Sequence, residues 1–274
     1  MKRIVALLFV AVSAHALSSP IDSTTAQNLE RILSSEDRSP ENRHRDQYRH
    51  PAETLAFFGI RNTDTVVEIL PGGGWYMEIL APLLKQHGKL YEASYPEKSP
   101  DSSDEQARAT ANLKRKLAAM PALYSAVTVT ELSASGTADI APPGTADLVL
   151  TFRNVHNWLK NDSADQMFSA FFKVLKPDGV LGVVEHRANP GTTLEQTIKS
   201  GYVTEAQVIQ LAEKAGFKLV AKSEINANPK DTKDYPGGVW TLPPSLSGDP
   251  AERARFLAIG ESDRMTMKFV KPAR

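Results

Sequence analysis

Val66-Val-Glu-Ile-Leu-Pro-Gly-Gly-Gly-Trp-Tyr76 decides how the rest of this chain is read. Residues 65–70 are a short β-branched and apolar run, the composition of a strand. Three glycines follow, and then Tyr76, Leu80, Leu83 and Leu84 recur at helical spacing, with Pro82 as a point where the helix can bend. A strand that passes through glycines into a helix brings bare backbone close to a ligand, because no side chain stands in the way. The helix amino terminus adds N–H groups without intrahelical partners, which receive a carboxylate or a phosphate. Glu68, at the strand end, is placed to orient these loops or to accept from a ligand ammonium. The plainer reading is a tight strand-to-helix turn that needs glycine for its geometry only.

Outward from this unit, strands and helices alternate. Pro51 and Gly59 bracket a short helix upstream, at the first-turn and closing positions those residues favour. Residues 89–94 and 127–132 read as the second and third strands, with a charged helix over 104–119 between them. Residues 147–152 are apolar between polar flanks, as in a central parallel strand. A helix starting at Asp162 or Ser163, with Ser163 and Gln166 as a capping box, buries Phe168, Phe171, Phe172 and Leu175. Lys176-Pro-Asp-Gly179 is a turn before a fifth strand over 180–185. Thr204 and Gln207 form a second capping box, ahead of a helix that Gly216 closes. The sixth strand is 217–225, and alternation of Met265, Met267 and Phe269 with Thr266 and Lys268 marks a half-exposed final strand over 264–270. This order predicts an α/β fold, a three-layer doubly wound sheet of seven mostly parallel strands. Ligands on such sheets sit beyond the carboxyl ends of the strands, here at loops 70–75, 94–100, 132–145, 152–162 and 185–202.

Composition narrows the class. The 274 residues suffice for one large α/β domain with a buried core, and apolar and charged shares of 41% and 23% are ordinary for a globular protein. Lys plus Arg and Asp plus Glu number 32 each, so no basic excess recruits nucleic acid or an anionic membrane surface. Cysteine is absent, which excludes disulfides, thiolate metal sites and cysteine nucleophiles. Lys2 and Arg3, the apolar run 4–12 and Ala14-His-Ala16 have the layout of a signal peptide over 1–16, cleaved after Ala16. The run falls short of the roughly 20 residues a membrane span needs. The expectation is a periplasmic or secreted protein with no stable membrane anchor after leader removal. A polar N-terminal arm with one helix occupies 17–47, and the main domain, 48–272, carries a polar insertion at 226–250.

The glycine segment resembles motif I of class I S-adenosylmethionine-dependent methyltransferases. Ala146-Asp-Leu-Val-Leu-Thr151 resembles the motif that opens their fourth strand, and Val174-Leu-Lys-Pro-Asp-Gly-Val180 the turn before their fifth. More narrowly, Leu150-Thr-Phe-Arg-Asn-Val-His-Asn-Trp158 and Gly260-Glu-Ser-Asp-Arg-Met265 resemble a group of exported bacterial predicted methyltransferases. The resemblance implies a Rossmann-like methyltransferase fold with its last strand antiparallel, S-adenosylmethionine as cofactor and methyl transfer to a small molecule. In that alignment Glu68 takes the acidic place, and Gly72 and Gly74 the second and third glycine places. Pro71, Gly73 and Thr151 complete the cofactor set. Leu70 stands where the first glycine belongs. Ser94 falls where an acid holds the ribose hydroxyls, and a neutral hydrogen bond is worth roughly half a charge-assisted one. Glu92, two residues back and about 6.6 Å along the strand, does not replace that acid.

The loop after the fourth strand is unusually polar. His156 suits a general base on a substrate hydroxyl or amine, Arg153 a bidentate clamp on a carboxylate, and Trp158 a stacking surface. Asn154 and Asn157 add substrate contacts. The plainer reading makes His156 and Asn157 helix caps and Trp158 a core anchor. Glu185-His186-Arg187 ends the fifth strand on the same sheet edge, so His186 is a second base candidate and Glu185 orients either histidine. These groups would also suit a metal, but they lack short ligand spacing and no metal is expected. Tyr202 reads as a lid or as packing. In the insertion, Asn226, Asn228 and Trp240 suggest an ordered cover, and 230–234 a solvated surface. Glu261, Asp263 and Arg264 read as salt bridges between loops. An exported small-molecule binding protein without transfer activity is the alternative function, and a metal-dependent hydrolase or lyase a third.

Overall fold

The computed structural model describes residues 21–97, 103–133 and 138–273. The leader over 1–16, and parts of loops 94–100 and 132–145, lie outside the described residues. No helix among the described residues is long and apolar enough to cross a membrane.

The expected polar arm is a run of short helices. α1 (Ser23–Leu33) begins where the Asp22 side chain accepts from the Thr25 N–H, and it buries Leu29 and Ile32 in the core. α2 (Pro40–His44) and α3 (Asp46–Arg49) follow, tied down by a bidentate Arg38–Asp46 pair with contacts of 2.6 and 2.8 Å. α4 (Pro51–Phe58) starts on Pro51 and ends at Gly59, whose φ is 82°. The alternation then runs β1 (Thr65–Ile69), α5 (Met77–Leu84), β2 (Lys89–Ser94), α6 (Asp104–Ala119), α7 (Pro121–Tyr124), β3 (Val127–Leu132) and a two-residue β4 (Ala138–Asp139). The second half comprises β5 (Ala146–Phe152), α8 (Val155–Lys160), α9 (Ala164–Val174), β6 (Leu175–His186), α10 (Leu194–Ser200) and α11 (Glu205–Lys214). β7 (Lys218–Ser223), α12 (Arg253–Ile259) and β8 (Arg264–Val270) complete it.

The sheet order is β4-β3-β2-β1-β5-β6-β8-β7. β3, β2, β1, β5 and β6 are parallel, and β8 runs antiparallel to both β6 and β7. Apart from the short β4, these are the seven strands expected. Chain order reverses between β1 and β5, which makes their carboxyl ends the switch point. Side chains alternate between two cores. Val67, Ile69 and Val149 pack with Phe168 and Phe171 on one face; Val66, Leu90 and Leu148 pack with Leu55 and Leu80 on the other.

Several expectations are corrected. The final strand is buried along nearly its whole length, because it lies between β6 and β7 and both its faces are covered; the edge strand is β7. Ser163 makes no capping bond, since its backbone (φ −114°, ψ 1°) is not extended as an N-cap requires. Lys176–Gly179 is absorbed into β6, whose register jumps from Ala146↔Leu175 to Leu148↔Val180. The loops 152–162 and 185–202 contain α8 and α10, the latter with a Thr193/Gln196 capping box. The Thr204/Gln207 box forms as read.

Candidate active site

At the end of β1 the chain turns sharply. Leu70 has a φ of 49°, the left-handed conformation natural to glycine, at the place where the resemblance expects one. Gly72 and Gly74 follow at 59° and 72°. The Gly74 N–H is used in the turn, donating to the Pro71 carbonyl at 3.0 Å, whereas those of Gly72 and Gly73 have no backbone acceptor among the described residues. A Cβ at position 72 or 73 would meet nothing within 4 Å; one at 74 would lie 3.0 Å from Met77. The hollow over the turn is therefore open at 72–73 and filled at 74. Lys116, from α6, braces the other side, donating to the Gly73 carbonyl at 3.0 Å and to Glu78 at 2.7 Å.

Beneath the turn, Glu68 and Glu92 stand opposite each other on β1 and β2, 3% and 0% exposed. Neither has an ion pair among the described residues. Burial drives both carboxyls upward, Glu68 to about 7 and Glu92 well above its ordinary 4.5, and the charge of Glu68 adds to the rise at Glu92. Burial therefore favours the neutral, protonated form of Glu92 beside Glu68. Ser94 ends β2, buried. Asn154 bridges the switch point: its side-chain N–H groups donate to the Ile69 carbonyl at 2.9 Å and to Thr151 Oγ1 at 3.2 Å. That Asn is a strap between β1 and β5, with its donors already in use.

Across the switch point, Glu185 is fully buried at the end of β6. Its Oε2 accepts from the backbone N–H of Val155 (2.6 Å) and His156 (3.3 Å) at the start of α8. Its Oε1 accepts from the His186 N–H (2.7 Å) and faces His156 Nδ1 at 3.1 Å. With a carboxylate there, Nδ1 is the donor, which leaves His156 Nε2 unprotonated as a base. His156, Glu185 and His186 lie within metal-binding reach, their ligand atoms inside 4.8 Å of one another. However, the four lone-pair sites of the carboxylate are all taken by N–H donors, as suits an orienting group. His186 Nδ1 lies 2.6 Å from Ser262 Oγ. Burial, and then the charges of His156, Arg153, Arg264 and Arg49, hold His186 well below its ordinary 6.5, so it stays neutral.

Next to the histidines is a group of arginines. Glu261, in the loop before β8, pairs with Arg45 (2.6 Å), Arg49 (3.2 Å) and Arg264 (3.0 Å). Burial alone would raise its pKa, but Arg264, Arg49, Arg45 and Arg153 more than offset that and hold it at about 2. Arg49 lies 4.7 Å from the ring centroid of Trp75, just past the glycine turn. Arg153 leaves β5 with a φ of 63°; its N–H donates to the Val184 carbonyl, and its guanidinium has no ion pair among the described residues. Burial lowers the pKa of both Arg49 and Arg153, yet arginine keeps its proton in proteins, so both are cations.

No protein-family model matches the sequence, and no curated protein matches it. Solved structures match in shape. A SAM-dependent methyltransferase from Aquifex aeolicus has a TM-score of 0.55 at 14% identity, over 90% of this chain and 98% of that one. A geranyl diphosphate methyltransferase in complex with SAM gives 0.56 at 13% identity, over 88% and 94%. The fold is the class I methyltransferase fold. The cyclase SpnF matches equally, with 0.56 at 14% identity over 93% and 99%, so the architecture hosts more than one chemistry.

Within the methyltransferase fold, the sheet edge brings Glu68, Pro71, Gly72, Gly73, Ser94, Thr151, Arg153, His156, Glu185 and His186 to the carboxyl ends of four neighbouring strands. It does not bring Trp158 there. Trp158 is 2% exposed and packs on Phe168 and Phe171, because α8 turns that face toward α9. Tyr202 is no mobile lid: it is buried with Ala188 and Val239, and its hydroxyl donates to Asp231 at 3.0 Å. Asn157 is half-buried on α8 and makes no side-chain bond among the described residues. The stretch 230–234 is not simply solvated, since Asp231 is 5% exposed and also accepts from the Asp263 N–H at 2.8 Å. The insertion is an ordered cover, as expected, with Asn226 bonded to Thr54 and Thr266. Its Trp240, 37% exposed, meets His156 edge-on with ring centroids 6.0 Å apart, and so holds the rim position first assigned to Trp158. Arg45, Arg49, Glu261 and Ser262 are site residues that sequence reasoning missed. The signal available was the Gly260–Met265 segment, which the resemblance had already picked out.

Proposed function

We propose that this protein transfers a methyl group from S-adenosylmethionine to a hydroxyl or amine of a small molecule. One observation carries the reading: an open glycine turn, whose Gly72 and Gly73 N–H groups have no backbone acceptor among the described residues, shares its sheet edge with a Glu185–His156 dyad. The turn suits the amino-acid part of the cofactor, with Glu68 and Thr151 beside it, and Ser94 offers one neutral hydroxyl to the ribose. When bound, the cofactor supplies an electrophilic methyl on sulfur. His156 Nε2 would take the proton that the acceptor hydroxyl or amine gives up on methylation, and the sheet edge would hold that acceptor beside the cofactor. Glu185 fixes the tautomer and stabilises the imidazolium that forms, as the carboxylate of a catalytic triad does. The surroundings of His186 disfavour a positive charge, so it serves as a neutral hydrogen-bond partner. Trp240 closes the rim. The basic, apolar and small-residue pattern of residues 2–16 supports export of the mature chain, which amino-terminal sequencing of the exported protein would test.

Calorimetry with S-adenosylmethionine and S-adenosylhomocysteine tests the central claim. Wild type is expected to bind both, and Gly73→Phe to lose both while keeping its thermal midpoint. Gly73 is the clean probe because its side is open and its φ is not left-handed, whereas Gly74 is left-handed and packed on Met77. No binding by wild type at millimolar cofactor would sink the reading.

A further inference from the structure

The acceptor side of the pocket holds more positive charge than its own residues use. Four guanidiniums, Arg45, Arg49, Arg153 and Arg264, are grouped around Glu261, the one carboxylate that ion-pairs with any of them among the described residues, a formal surplus of three positive charges in that group. Donors are in surplus as well. Arg264 is fully engaged, with Glu261, the Tyr48 carbonyl and the Ser262 carbonyl as acceptors. Arg45 Nη2 and Arg49 Nη1, by contrast, are buried without an acceptor among the described residues. Arg49 is 3% exposed, so bulk solvent does not supply the missing partner. Arg153 is half-buried and has no ion pair among the described residues, on a left-handed backbone that a non-glycine residue keeps only where its surroundings impose it. Unsatisfied buried donors are rare in folded proteins, because each gives up its solvation for nothing. Glu185, the carboxylate of the neighbouring dyad, cannot answer them, since its own oxygens are filled.

We infer that the methyl acceptor carries an oxyanion, a carboxylate or a phosphate monoester, and that Arg45, Arg49 and Arg153 form the subsite that binds it. The acceptor role rests on the transferase reading above; the anion rests on the arginines alone. A planar guanidinium fork matches either group in bidentate fashion. The cofactor cannot cancel this charge. S-adenosylmethionine brings one carboxylate against one ammonium and one sulfonium, so it adds positive charge to a pocket already positive. An anionic acceptor relieves that repulsion, and the two ligands bind cooperatively. Arg153 precedes His156 by three positions, which keeps an anchored acceptor beside the base.

Calorimetric titration of the purified protein with benzoate and with phenyl phosphate, each with and without S-adenosylmethionine, tests this at low ionic strength. At least one anion is expected to bind, and to tighten S-adenosylmethionine binding by roughly fivefold or more. Arg153→Gln breaks no ion pair and is expected to keep the wild-type thermal midpoint while weakening the anion by roughly tenfold or more. Arg153→Lys, which keeps the charge, retains part of the affinity. Binding of benzoate alone identifies a carboxylate, and binding of phenyl phosphate alone a phosphate monoester; each supports the subsite. If neither anion binds at millimolar concentration, or if Arg153→Gln binds them as wild type does, the inference is overturned. It is also overturned if Arg153→Gln and Arg49→Gln weaken S-adenosylhomocysteine but leave 5′-methylthioadenosine, which lacks the amino-acid part, unaffected. The cluster would then hold the cofactor's own carboxylate. Anion binding with no cofactor binding supports the subsite and overturns the transferase reading instead.

Discussion

On the β2 side of the switch point the buried polar groups are two carboxyls, Glu68 and Glu92, facing each other in register. On the β6 side they are four guanidiniums around Glu261, with His156 and Glu185 beside them. Both arrangements crowd like charges into a low-dielectric interior, and they resolve the conflict differently. A carboxyl can take up a proton, so burial leaves Glu92 neutral and moves Glu68 to about 7. An arginine has no such exit and keeps its charge at any working pH. The first region can shed its charge by taking up a proton, whereas the second keeps its charge and is complete only when something anionic joins it.

Three substitutions would break or sharpen this contrast. Glu261→Gln removes the single carboxylate from among buried guanidiniums and is expected to destabilise by about 3–5 kcal/mol in urea unfolding. A loss under about 1 kcal/mol would mean that the arginines are better solvated than their burial indicates. Glu92→Gln acts in the opposite region and shows itself through pH. Unfolded, Glu68 titrates near its ordinary 4.5; folded, at about 7. The pair therefore favours the folded state at low pH and loses that advantage as pH climbs through about 7, by on the order of 3 kcal/mol from Glu68 alone. Relative to wild type, Glu92→Gln is expected to gain stability between about pH 5 and pH 8, a difference in which other titrating groups cancel. Parallel profiles would show that the two carboxyls share no proton. Asn154→Ala cuts the strap between the regions and leaves the buried Ile69 carbonyl without that donor, an expected loss of about 1–2 kcal/mol. Its telling readout is cofactor affinity. If cofactor affinity does not fall in the variant, the two regions do not depend on a common opening.

The same contrast explains what could be read before the fold was known. The β2 side is contiguous: strand, glycines and helix follow within residues 65–84, and local periodicity and turn chemistry expose them. The open glycine turn and the positions of Glu68 and Ser94 were legible for that reason, and so was the alternation that gives the sheet. Glu92 was seen only as too far from the ribose position, because a strand pattern alone does not tell which residue it will face. The β6 side is assembled from the arm, the loop after β5, the end of β6 and the loop before β8. No local pattern links Arg49 to Glu261. Arg153, His156, Glu185 and His186 were found because they crowd at strand ends, but Arg45 looked like an ordinary charge of a polar arm, and nothing local singled out Arg49 just beyond it. Trp158 and Trp240 were exchanged for a related reason. An aromatic residue two positions beyond a histidine seems near it in sequence, yet α8 rotates it into the core, and a tryptophan from a distant insertion takes its place.

Arg45 and Arg49 reach Glu261 across 216 and 212 positions of chain. The beginning of the folded protein is thereby clasped by its end, through the loop that feeds the last strand to enter the sheet. A chain cut short of that strand would lose the sheet between β6 and β7 as well, whereas a break in the loop alone would free Glu261 from the strand it feeds. A single nick near residue 260 should accordingly leave a protein that recognises one reactant and is blind to the other.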